Sequence, residues 1–251
     1  MLYRSSFYRT FFIPKKDGKK RQIDEPLPGL KNIQRWILDE ILNKLSVSKY
    51  AKAYVKKRSV RSNAYYHRNR KCIIALDIKE YFASIHFSKV FSFFSSLGYT
   101  EHVACVLSNI CLLNNALPQG APTSPALSNL CTKDLDDDLY AFVKGKQIMY
   151  TRYADDIAFS GNFIDIREFY KNVKLILNKH GFRLNYAKTR VLHNHQRQLV
   201  TGIVVNVTAT KSIVIIFFFI IYNHLSYSLA DYSTDYFYQK HECLNLMFYE
   251  S

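Results

Sequence analysis

Cysteine is sparse in this sequence, and its spacing forms no recognisable pairs. The chain has five cysteines, an odd number, and no two of them form a C-x-x-C pair. Without such spacing, the sequence predicts neither a zinc site nor a disulfide framework. Unpaired thiols are typical of proteins in a reducing compartment, so we expect a cytoplasmic protein.

Long apolar runs are missing too. The most apolar stretch, residues 213–222, is only about ten residues long, whereas a membrane-spanning helix needs about twenty. Residues 1–12 are interrupted by Arg4 and Arg9 and lack the apolar core of a signal peptide. We therefore expect no membrane span and no membrane partner.

Acidic residues are scarce relative to basic ones. The 251 residues include 35 lysines and arginines against 20 aspartates and glutamates, a net charge of +15. A charge of this size predicts a polyanionic partner, nucleic acid before an anionic membrane, although a merely soluble basic surface is the alternative. The hydrophobic fraction of 48% indicates a globular chain rather than a disordered one.

Glycine and proline are absent after residue 206, and the charge changes there as well. Residues 207–251 contain two basic and four acidic residues, a charge of −2, so residues 1–206 carry +17. The same tail is rich in phenylalanine and tyrosine. We place a domain boundary after residue 206, and the chain shows no internal repeat.

Local patterns in residues 1–206 predict both helices and strands. Asp17-Gly18 lies between two strand-like runs, which is typical of a hairpin, here with a basic tip. Apolar residues at helical spacing predict helices over residues 30–45, 127–142 and 167–180. Strand-like segments follow at residues 183–186 and 199–205.

Two further segments place carboxylates at strand ends. Residues 72–76 form a short continuous apolar run, typical of a buried strand, and Asp77 follows at its end. A second hairpin, within residues 147–160, has Ala154 and Asp155 at its tip. The order of all these elements predicts an α+β fold in which an antiparallel sheet carries helices on one side.

Asp77, Asp155 and Asp156 are the residues in which this pattern indicates chemistry. Adjacent carboxylates repel one another unless a cation neutralises them. A solvated turn is the alternative for an isolated Asp-Asp pair, but the apolar flanks and the separate Asp77 favour an all-oxygen site suited to Mg²⁺. Two such ions about 3.5–4 Å apart can activate an attacking hydroxyl and stabilise a leaving pyrophosphate.

Four motifs, in this order, resemble those of reverse transcriptases. Residues 76–82 resemble the first metal motif of the family, residues 117–125 its P-Q-G loop, residues 153–156 (Tyr-Ala-Asp-Asp) its YxDD box, and residues 184–189 its later lysine motif. One box alone would be weak, but four in order make chance resemblance very unlikely.

The resemblance implies the right-hand polymerase fold. Residues 1–75 would be mainly fingers, and residues 76–206 mainly palm with the catalytic site. Residues 207–251 would be an atypical tail in place of the basic helical thumb, which is therefore absent or atypical.

Two shorter elements are similar to those of bacterial retron reverse transcriptases. Residues 63–67 match the NAxxH element, and residues 200–202 match the VTG element. The resemblance implies an RNA-directed DNA polymerase that copies a cognate structured RNA into single-stranded DNA, primed from an RNA 2′-hydroxyl. It implies an RNA–DNA hybrid and deoxynucleoside triphosphates as further partners. Retrons as a family act in anti-phage defence with an effector protein.

The family's catalytic roles fall on four side chains here. Asp77 and Asp155 would hold two Mg²⁺ ions, with Mn²⁺ as the substitute and the Ile78 carbonyl as a further oxygen at the nucleotide site. Asp156 would be the weaker ligand. Lys188 would neutralise or protonate the leaving pyrophosphate as a general acid, and a surface lysine is the alternative.

Nucleotide-binding roles fall on two loops and on Phe82. Phe82 would pack under the sugar and exclude a 2′-hydroxyl, and a core aromatic is the alternative. Gln119 and Gly120 would line the pocket, glycine because the backbone must approach closely. Lys19 and Arg21 of the first hairpin would contact the triphosphate.

RNA-binding residues are predicted from two patterns. A basic strip interleaved with tyrosines predicts contacts with the RNA backbone, although a solvated basic face is the alternative; its members are Lys56, Lys57, Arg58, Arg61, Arg68 and Arg70. The NAxxH and VTG elements add Asn63, His67, Val200, Thr201 and Gly202.

Two other interpretations stay open. One is a reverse transcriptase like those of group II introns, against which the NAxxH and VTG elements argue. The other is a truncated, weakly active or inactive RNA-binding relative of the same fold. The intact aspartates and Lys188 argue against a decayed site, whereas the acidic tail is a poor match for a nucleic acid duplex.

Overall fold

The computed structural model describes residues 4–15 and 18–206 of the chain. The packing of Cα atoms divides the chain into residues 1–206 and residues 207–251. The second unit, for which the sequence predicts an aromatic-rich tail in place of a thumb, lies outside the described residues.

The described residues contain both strands and helices. The strands are β1 Tyr8–Pro14, β2 Lys20–Pro26, β3 Cys72–Asp77, β4 Met149–Tyr153, β5 Asp156–Gly161, β6 Arg190–His193, β7 Leu199–Val200 and β8 Ile203–Val204. The helices are α1 Pro28–Glu40, α2 Val60–Tyr65, α3 Phe87–Ser96, α4 Glu101–Cys111, α5 Ser124–Leu130, α6 Lys133–Val143 and α7 Ile166–Lys179. Single 3-10 turns lie at Arg4–Phe7, Leu42–Lys44 and Tyr186–Lys188. Among the helices of this part of the chain, none has the length and apolar character needed to cross a membrane.

Strands β1 and β2 form the first predicted hairpin. They pair in antiparallel fashion, with Phe11 opposite Ile23 and Pro14 opposite Lys20. Gly18, between them, has a φ of +78°, a backbone conformation that glycine adopts without strain. The hairpin prediction is confirmed.

The central sheet has the strand order β4-β5-β3-β6, and every neighbouring pair is antiparallel. Because side chains alternate along a strand, Ile74 and Leu76 of β3 share one face with Phe159 of β5. This face packs on helices α6 and α7, through residues such as Leu139 and Val173, and forms the main hydrophobic core. The predicted antiparallel sheet is confirmed, and α6 and α7 pack on this face of it.

The opposite face of the sheet carries a smaller apolar cluster. Ile73 of β3 and Ala158 of β5 meet Ala64 of α2, together with Val200 and Val205. The short helix α2 and the β7-β8 hairpin therefore cover part of this second face. The sequence patterns did not predict that cover, because it joins segments more than a hundred residues apart.

The predicted helix over residues 127–142 is wrong in one respect, since it is divided into α5 and α6. Thr132 lies at the break and is buried. Its hydroxyl donates to the Ser128 carbonyl at 2.7 Å and lies 3.2 Å from the Tyr81 hydroxyl. A threonine that bonds to the carbonyl four residues earlier competes with the regular helix ladder, and it often bends a helix.

Residues 183–206 also differ from the predicted strands. Residues 183–186 form no strand, because only Leu184 bridges to Ile78 before the chain turns through Tyr186–Lys188. Strand β6 was not predicted, and it pairs with β3. Residues 199–205 are two short strands joined at Thr201 and Gly202. Both of these residues have positive φ, +48° and +83°, as a two-residue hairpin turn requires.

His67, just after α2, is buried against the second face of the sheet. Its side chain is 0% exposed, and its ring nitrogens lie 2.7 Å from the Ser160 hydroxyl of β5 and 2.7 Å from the Thr151 hydroxyl of β4. Burial lowers the pKa of His67 to about 4, and the positive charges of Arg70 and Lys52 act in the same direction. The imidazole is therefore neutral near pH 7.

We expect His67 to make the free energy of unfolding fall as the pH decreases from about 6.5 to about 4. Its pKa is about 4 in the folded protein and 6.5 in an unfolded chain, so the unfolded state takes up the proton first. Stability from this group is thus complete above pH 6.5, and the loss approaches roughly 3 kcal/mol below pH 4. Urea unfolding at a series of pH values measures it.

The matched variants are His67→Gln, which cannot titrate but can still bond to a hydroxyl, and His193→Gln, which replaces an exposed histidine of β6. His67→Gln should lose part of the pH dependence between 6.5 and 4, whereas His193→Gln should keep it. Equal pH dependence in the two variants and the parent protein would contradict a buried neutral His67.

Candidate active site

The strand pairing of the central sheet brings the three predicted aspartates together. Asp77 at the end of β3 is the direct partner of Asp156 at the start of β5. Asp155 lies one residue earlier, in the β4-β5 turn, where Ala154 has a φ of +56°. The Ile78 N–H donates to the Asp155 carbonyl at 2.9 Å and ties this turn to the end of β3.

The cluster is electrostatically unfavourable. Desolvation raises the pKa of Asp156 to about 6, and the negative charges of Asp155 and Asp77 add to the rise. Desolvation also raises the pKa of Asp155, with a contribution from Asp77, while the charges of Lys188 and Arg21 oppose it. Carboxylates that are harder to ionise together favour a cation between them.

Asp77 is the buried member of the cluster, and two side chains hold its carboxylate. Lys188 donates to Oδ2 at 2.7 Å, and Asn185 donates to Oδ1 at 2.9 Å. The hydrogen bond to Asp77 raises the pKa of Lys188, so the amine stays protonated. Asn185 had no predicted role, although it lies inside the lysine motif.

The donor set is suited to a divalent cation, although the carboxylates are not arranged around one point. Within residues 4–15 and 18–206, no group of three or more His, Cys, Asp or Glu side chains forms a metal site. Both oxygens of Asp77 accept hydrogen bonds, from Lys188 and Asn185. The chemistry of the oxygens and their mutual repulsion fit hard cations such as Mg²⁺. A bound cation would take over the neutralisation of Asp77 that Lys188 now provides.

Phe82 has aromatic rings on two sides. Its ring is half-buried, 5.5 Å from the Tyr81 ring and 6.3 Å from the Tyr54 ring. Tyr54 is 53% exposed with a φ of +58°. Burial raises the pKa of Tyr54, with Asp155 contributing, and Arg21 opposes the rise, so Tyr54 lies near both charges. The sequence predicted no role for Tyr54, because a single tyrosine in a loop belongs to no recognisable pattern.

The P-Q-G loop contacts the first hairpin. The Asp24 N–H donates to the Gln119 carbonyl at 2.7 Å. Gly120 has a φ of +125°, and a Cβ there would lie 2.8 Å from the Asp24 carbonyl oxygen. The close approach that requires glycine is thus to β2, whereas a close approach to a nucleotide was predicted. Gln119 and Lys19 have exposed side chains.

The NAxxH and VTG elements meet next to the aspartates. The Asn63 side chain donates to the Thr201 hydroxyl at 3.1 Å. A cavity of about 240 Å³ opens beside them, and its lining includes Asn63, Asp77, Asp156, Lys188, Thr201 and Gly202. The structure therefore brings the NAxxH and VTG elements next to the aspartate cluster, which the sequence could not show.

Residues 13–219 match the family model described as reverse transcriptase (RNA-dependent DNA polymerase). The chain belongs to the reverse transcriptase family. Members of this family generally use divalent metal ions.

Relatives of this chain include reverse transcriptases of retrons. It is 35% identical to the retron Ec86 reverse transcriptase of Escherichia coli over 213 residues, which cover 82% of this chain and 66% of the relative. It is 34% identical to the retron Mx162 reverse transcriptase of Myxococcus xanthus, over 80% of this chain and 48% of the relative. The predicted retron-type resemblance is confirmed. The chain spans between about half and just under two thirds of the length of these relatives.

Solved structures with a similar fold include telomerases. The telomerase of Candida albicans in complex with a telomeric RNA fragment has a TM-score of 0.58 at 13% identity, covering 80% of this chain and 45% of that one. Apo telomerase of Candida tropicalis has a TM-score of 0.52 at 10% identity, covering 74% and 43%. At these identities the likeness shows the fold alone, which is the predicted polymerase fold of fingers and palm.

The predicted RNA-binding residues of this chain divide by exposure. Lys56, Lys57, Arg61 and Arg68 are exposed, whereas the half-buried Arg58 donates to the carbonyls of Ser48 and Ala51. Arg70 is half-buried as well. Direct RNA contact is therefore consistent with four members of the strip, and the hydrogen bonds of Arg58 indicate a structural role.

The residues of the NAxxH and VTG elements also divide into buried and accessible ones. Asn63, His67 and Val200 are at most 3% exposed, so their side chains offer little surface to RNA. Direct RNA contact was predicted for these three, and it stays a prediction that their burial does not support. Gly202 is exposed and Thr201 half-buried, so this turn is the part of the two elements that RNA could reach.

Asp156→Asn should raise the melting temperature of the metal-free protein, because it removes one negative charge from three while keeping the shape of the side chain. Thermal melting in EDTA and in increasing Mg²⁺ measures this. Mg²⁺ should stabilise the parent protein more than the variant, since a bound ion relieves the same repulsion.

The control for this comparison is Asp137→Asn, which removes an exposed carboxylate of α6 away from the cluster. It should leave both the melting temperature in EDTA and the gain with Mg²⁺ close to those of the parent. A melting temperature of Asp156→Asn equal to or below that of the parent would contradict the repulsion.

Proposed function

We propose that this chain is an RNA-directed DNA polymerase of the retron type, which copies a cognate structured RNA into single-stranded DNA by two-metal nucleotidyl transfer. One observation carries the proposal: the pairing of β3 with β5 sets Asp77 opposite Asp156, with Asp155 in the adjoining turn and Lys188 on Asp77. The family match supports the same chemistry. Priming from an RNA 2′-hydroxyl and a part in anti-phage defence beside an effector protein belong to the proposal through the retron relatives.

The three aspartates, with the Ile78 carbonyl, would hold two Mg²⁺ ions, for which Mn²⁺ would be the substitute. When bound, these ions would lower the pKa of the attacking hydroxyl and stabilise the leaving pyrophosphate. Asp77 is fixed by Asn185, and the turn that carries Asp155 is fixed by the Ile78 N–H. These contacts preorganise the carboxylates.

Lys188 would be the proton donor. Its amine is protonated next to Asp77, and its side chain is 60% exposed, so it can leave Asp77 for an anion that enters from solvent. A leaving pyrophosphate is such an anion. Transfer of one proton from Nζ to a pyrophosphate oxygen would then favour its departure.

The nucleotide would lie between Phe82 and the first hairpin. Phe82 would close the pocket under the sugar, with Tyr54 beside it. Arg21, whose charge acts on Asp155 and Tyr54, would contact the triphosphate together with Lys19. Gln119 and Gly120 would complete the wall, because the P-Q-G loop contacts β2 of this hairpin.

Residues 1–75 would then be mainly fingers and residues 76–206 mainly palm. The charge of +17 on residues 1–206 is suited to a template–primer duplex, and the exposed members of the basic strip would contact its phosphates. Thr201 and Gly202, which line the cavity beside the aspartates, would lie close to the priming end of the RNA.

Asp155→Asn should abolish DNA synthesis on an RNA template and leave RNA affinity unchanged, because it alters the metal site alone. The expected loss is roughly a thousandfold, since metal ions contribute several kcal/mol to the transition state. Primer extension in Mg²⁺ measures the rate, with Asp137→Asn as the control. Extension by Asp155→Asn at the rate of the parent would refute the assignment, and a parent protein that binds RNA without extending it would indicate an inactive RNA-binding relative.

A Lys56→Gln/Arg61→Gln variant should weaken RNA binding and reduce its salt dependence. Each lost phosphate contact lowers the slope of log affinity against log salt by about 0.7–0.9, so the pair should lower it by roughly 1.5. Lys144→Gln/Lys146→Gln, in the exposed turn after α6, is the charge-matched control. Equal slopes for the two double variants would indicate a solvated basic face in place of an RNA site.

A further inference from the structure

Arg152 of β4 is a fully buried cation whose contacts the proposed chemistry does not use. Its Nε and Nη2 donate to the two carboxylate oxygens of Asp136, at 2.7 and 2.8 Å, and both side chains are 0% exposed. Its Nη1 donates to the Tyr81 hydroxyl at 2.7 Å, to the Ala154 carbonyl at 3.2 Å and to the Asn129 side chain at 3.3 Å.

The partners of Nη1 lie at two points that matter for the proposed active site. Tyr81 immediately precedes Phe82, and Ala154 immediately precedes Asp155. One nitrogen thus connects two places. The first is the residue before Phe82, the proposed wall of the sugar pocket (the sugar wall), and the second is the turn that carries Asp155. A buried ion pair is by itself weak support for stability, because desolvation offsets much of its attraction. The geometry of its contacts is therefore more informative than its charge.

Contacts fix both the hydroxyl and the ring of Tyr81. Its hydroxyl accepts from Arg152 and donates to the Ser128 carbonyl at 2.8 Å. Its ring is 3% exposed and lies edge-on to the Phe82 ring at 5.5 Å, with the Phe182 ring at 5.8 Å. Phe82 is only half-buried, so the fixed Tyr81 ring is part of the support that sets its position.

We propose that Tyr81 is a positioning residue for sugar selection. Its hydroxyl, held by Arg152, fixes the ring against which Phe82 packs, so that Phe82 keeps its distance from the sugar of the incoming nucleotide. This inference rests on the proposed role of Phe82. The same nitrogen also bonds to the Ala154 carbonyl, so Phe82 and the turn that carries Asp155 keep a fixed position relative to each other.

Tyr150 offers a matched control within the same network. Its hydroxyl donates to Asp136 at 2.6 Å, and its side chain is 4% exposed. Its ring stacks on Phe159 at 5.0 Å and contacts Tyr50, so it packs in the core under α6. Tyr81→Phe and Tyr150→Phe each remove one buried hydroxyl from the network, but only the first removes an acceptor of Nη1.

The experiment is single-nucleotide incorporation with a deoxynucleotide and the matching ribonucleotide, giving the ratio of their kcat/KM values. Tyr81→Phe should lower the preference for the deoxynucleotide by about threefold to tenfold, the effect of one misplaced hydrogen bond. Tyr150→Phe should stay within about twofold of the parent at a similar loss of melting temperature. Arg152→Lys, which cannot make the bidentate pair, tests the same link from its other end and should also lower the preference.

Phe82→Ala, measured in the same assay, separates the two levels of inference. If Phe82→Ala lowers the preference for the deoxynucleotide and the two Tyr→Phe variants have equal preferences, the positioning role of Tyr81 is overturned. The proposed role of Phe82 against the sugar is then retained. If Phe82→Ala leaves the preference unchanged, the proposed role of Phe82 itself fails. If Tyr81→Phe does not melt cooperatively, the deoxynucleotide preference of Arg152→Lys takes its place in the test. A preference equal to that of Tyr150→Phe then overturns the inference.

Discussion

The buried ion pair between Arg152 and Asp136 is the interaction on which the arrangement of the proposed active site depends. Removing two charges from water costs several kcal/mol per ion unless each is fully hydrogen-bonded. Here both carboxylate oxygens and all three guanidinium nitrogens have partners. The main chain of Arg152 adds two more contacts, since its N–H donates to the Tyr50 carbonyl and its own carbonyl accepts from the Lys52 N–H. One residue thus joins α6, the edge of the sheet and the turn that carries Asp155.

The carboxylate cluster has the opposite character. Asp77, Asp155 and Asp156 bring three carboxylates to one end of the sheet, and Lys188 is the cation in direct contact with Asp77. Desolvation raises the pKa of Asp156 to about 6, and the negative charges of Asp155 and Asp77 add to the rise. The ion pair and the cluster are complementary. Arg152 bonds to the Ala154 carbonyl and so helps to hold the turn that carries Asp155, whereas the repulsion among the carboxylates is only partly offset by Lys188.

Local signals were read correctly where the physical cause is local. The Asp17-Gly18 hairpin, the apolar strand before Asp77 and the hairpin around Ala154 follow from turn chemistry and side-chain periodicity, and each is present. The signals failed where a distant partner decided. The predicted helix after Ser124 breaks at Thr132, whose buried hydroxyl lies within hydrogen-bond distance of the Tyr81 hydroxyl. Strand β6 forms where the chain pairs with the free edge of β3. His67 was read as an RNA contact, but hydroxyls on β4 and β5 hold it in the interior.

The sequence by itself determined the fold class, the family and the three aspartates as candidate metal ligands, because ordered motifs and strand-end carboxylates are properties of the chain alone. Only the tertiary structure decided which residues support that chemistry. Asn185 on Asp77, Asn63 on Thr201 and Tyr81 on Arg152 join positions from 71 to 138 residues apart. Their side chains have no periodic signature, since hydrogen bonding to a buried partner depends on where the backbone places both ends and not on spacing along the chain.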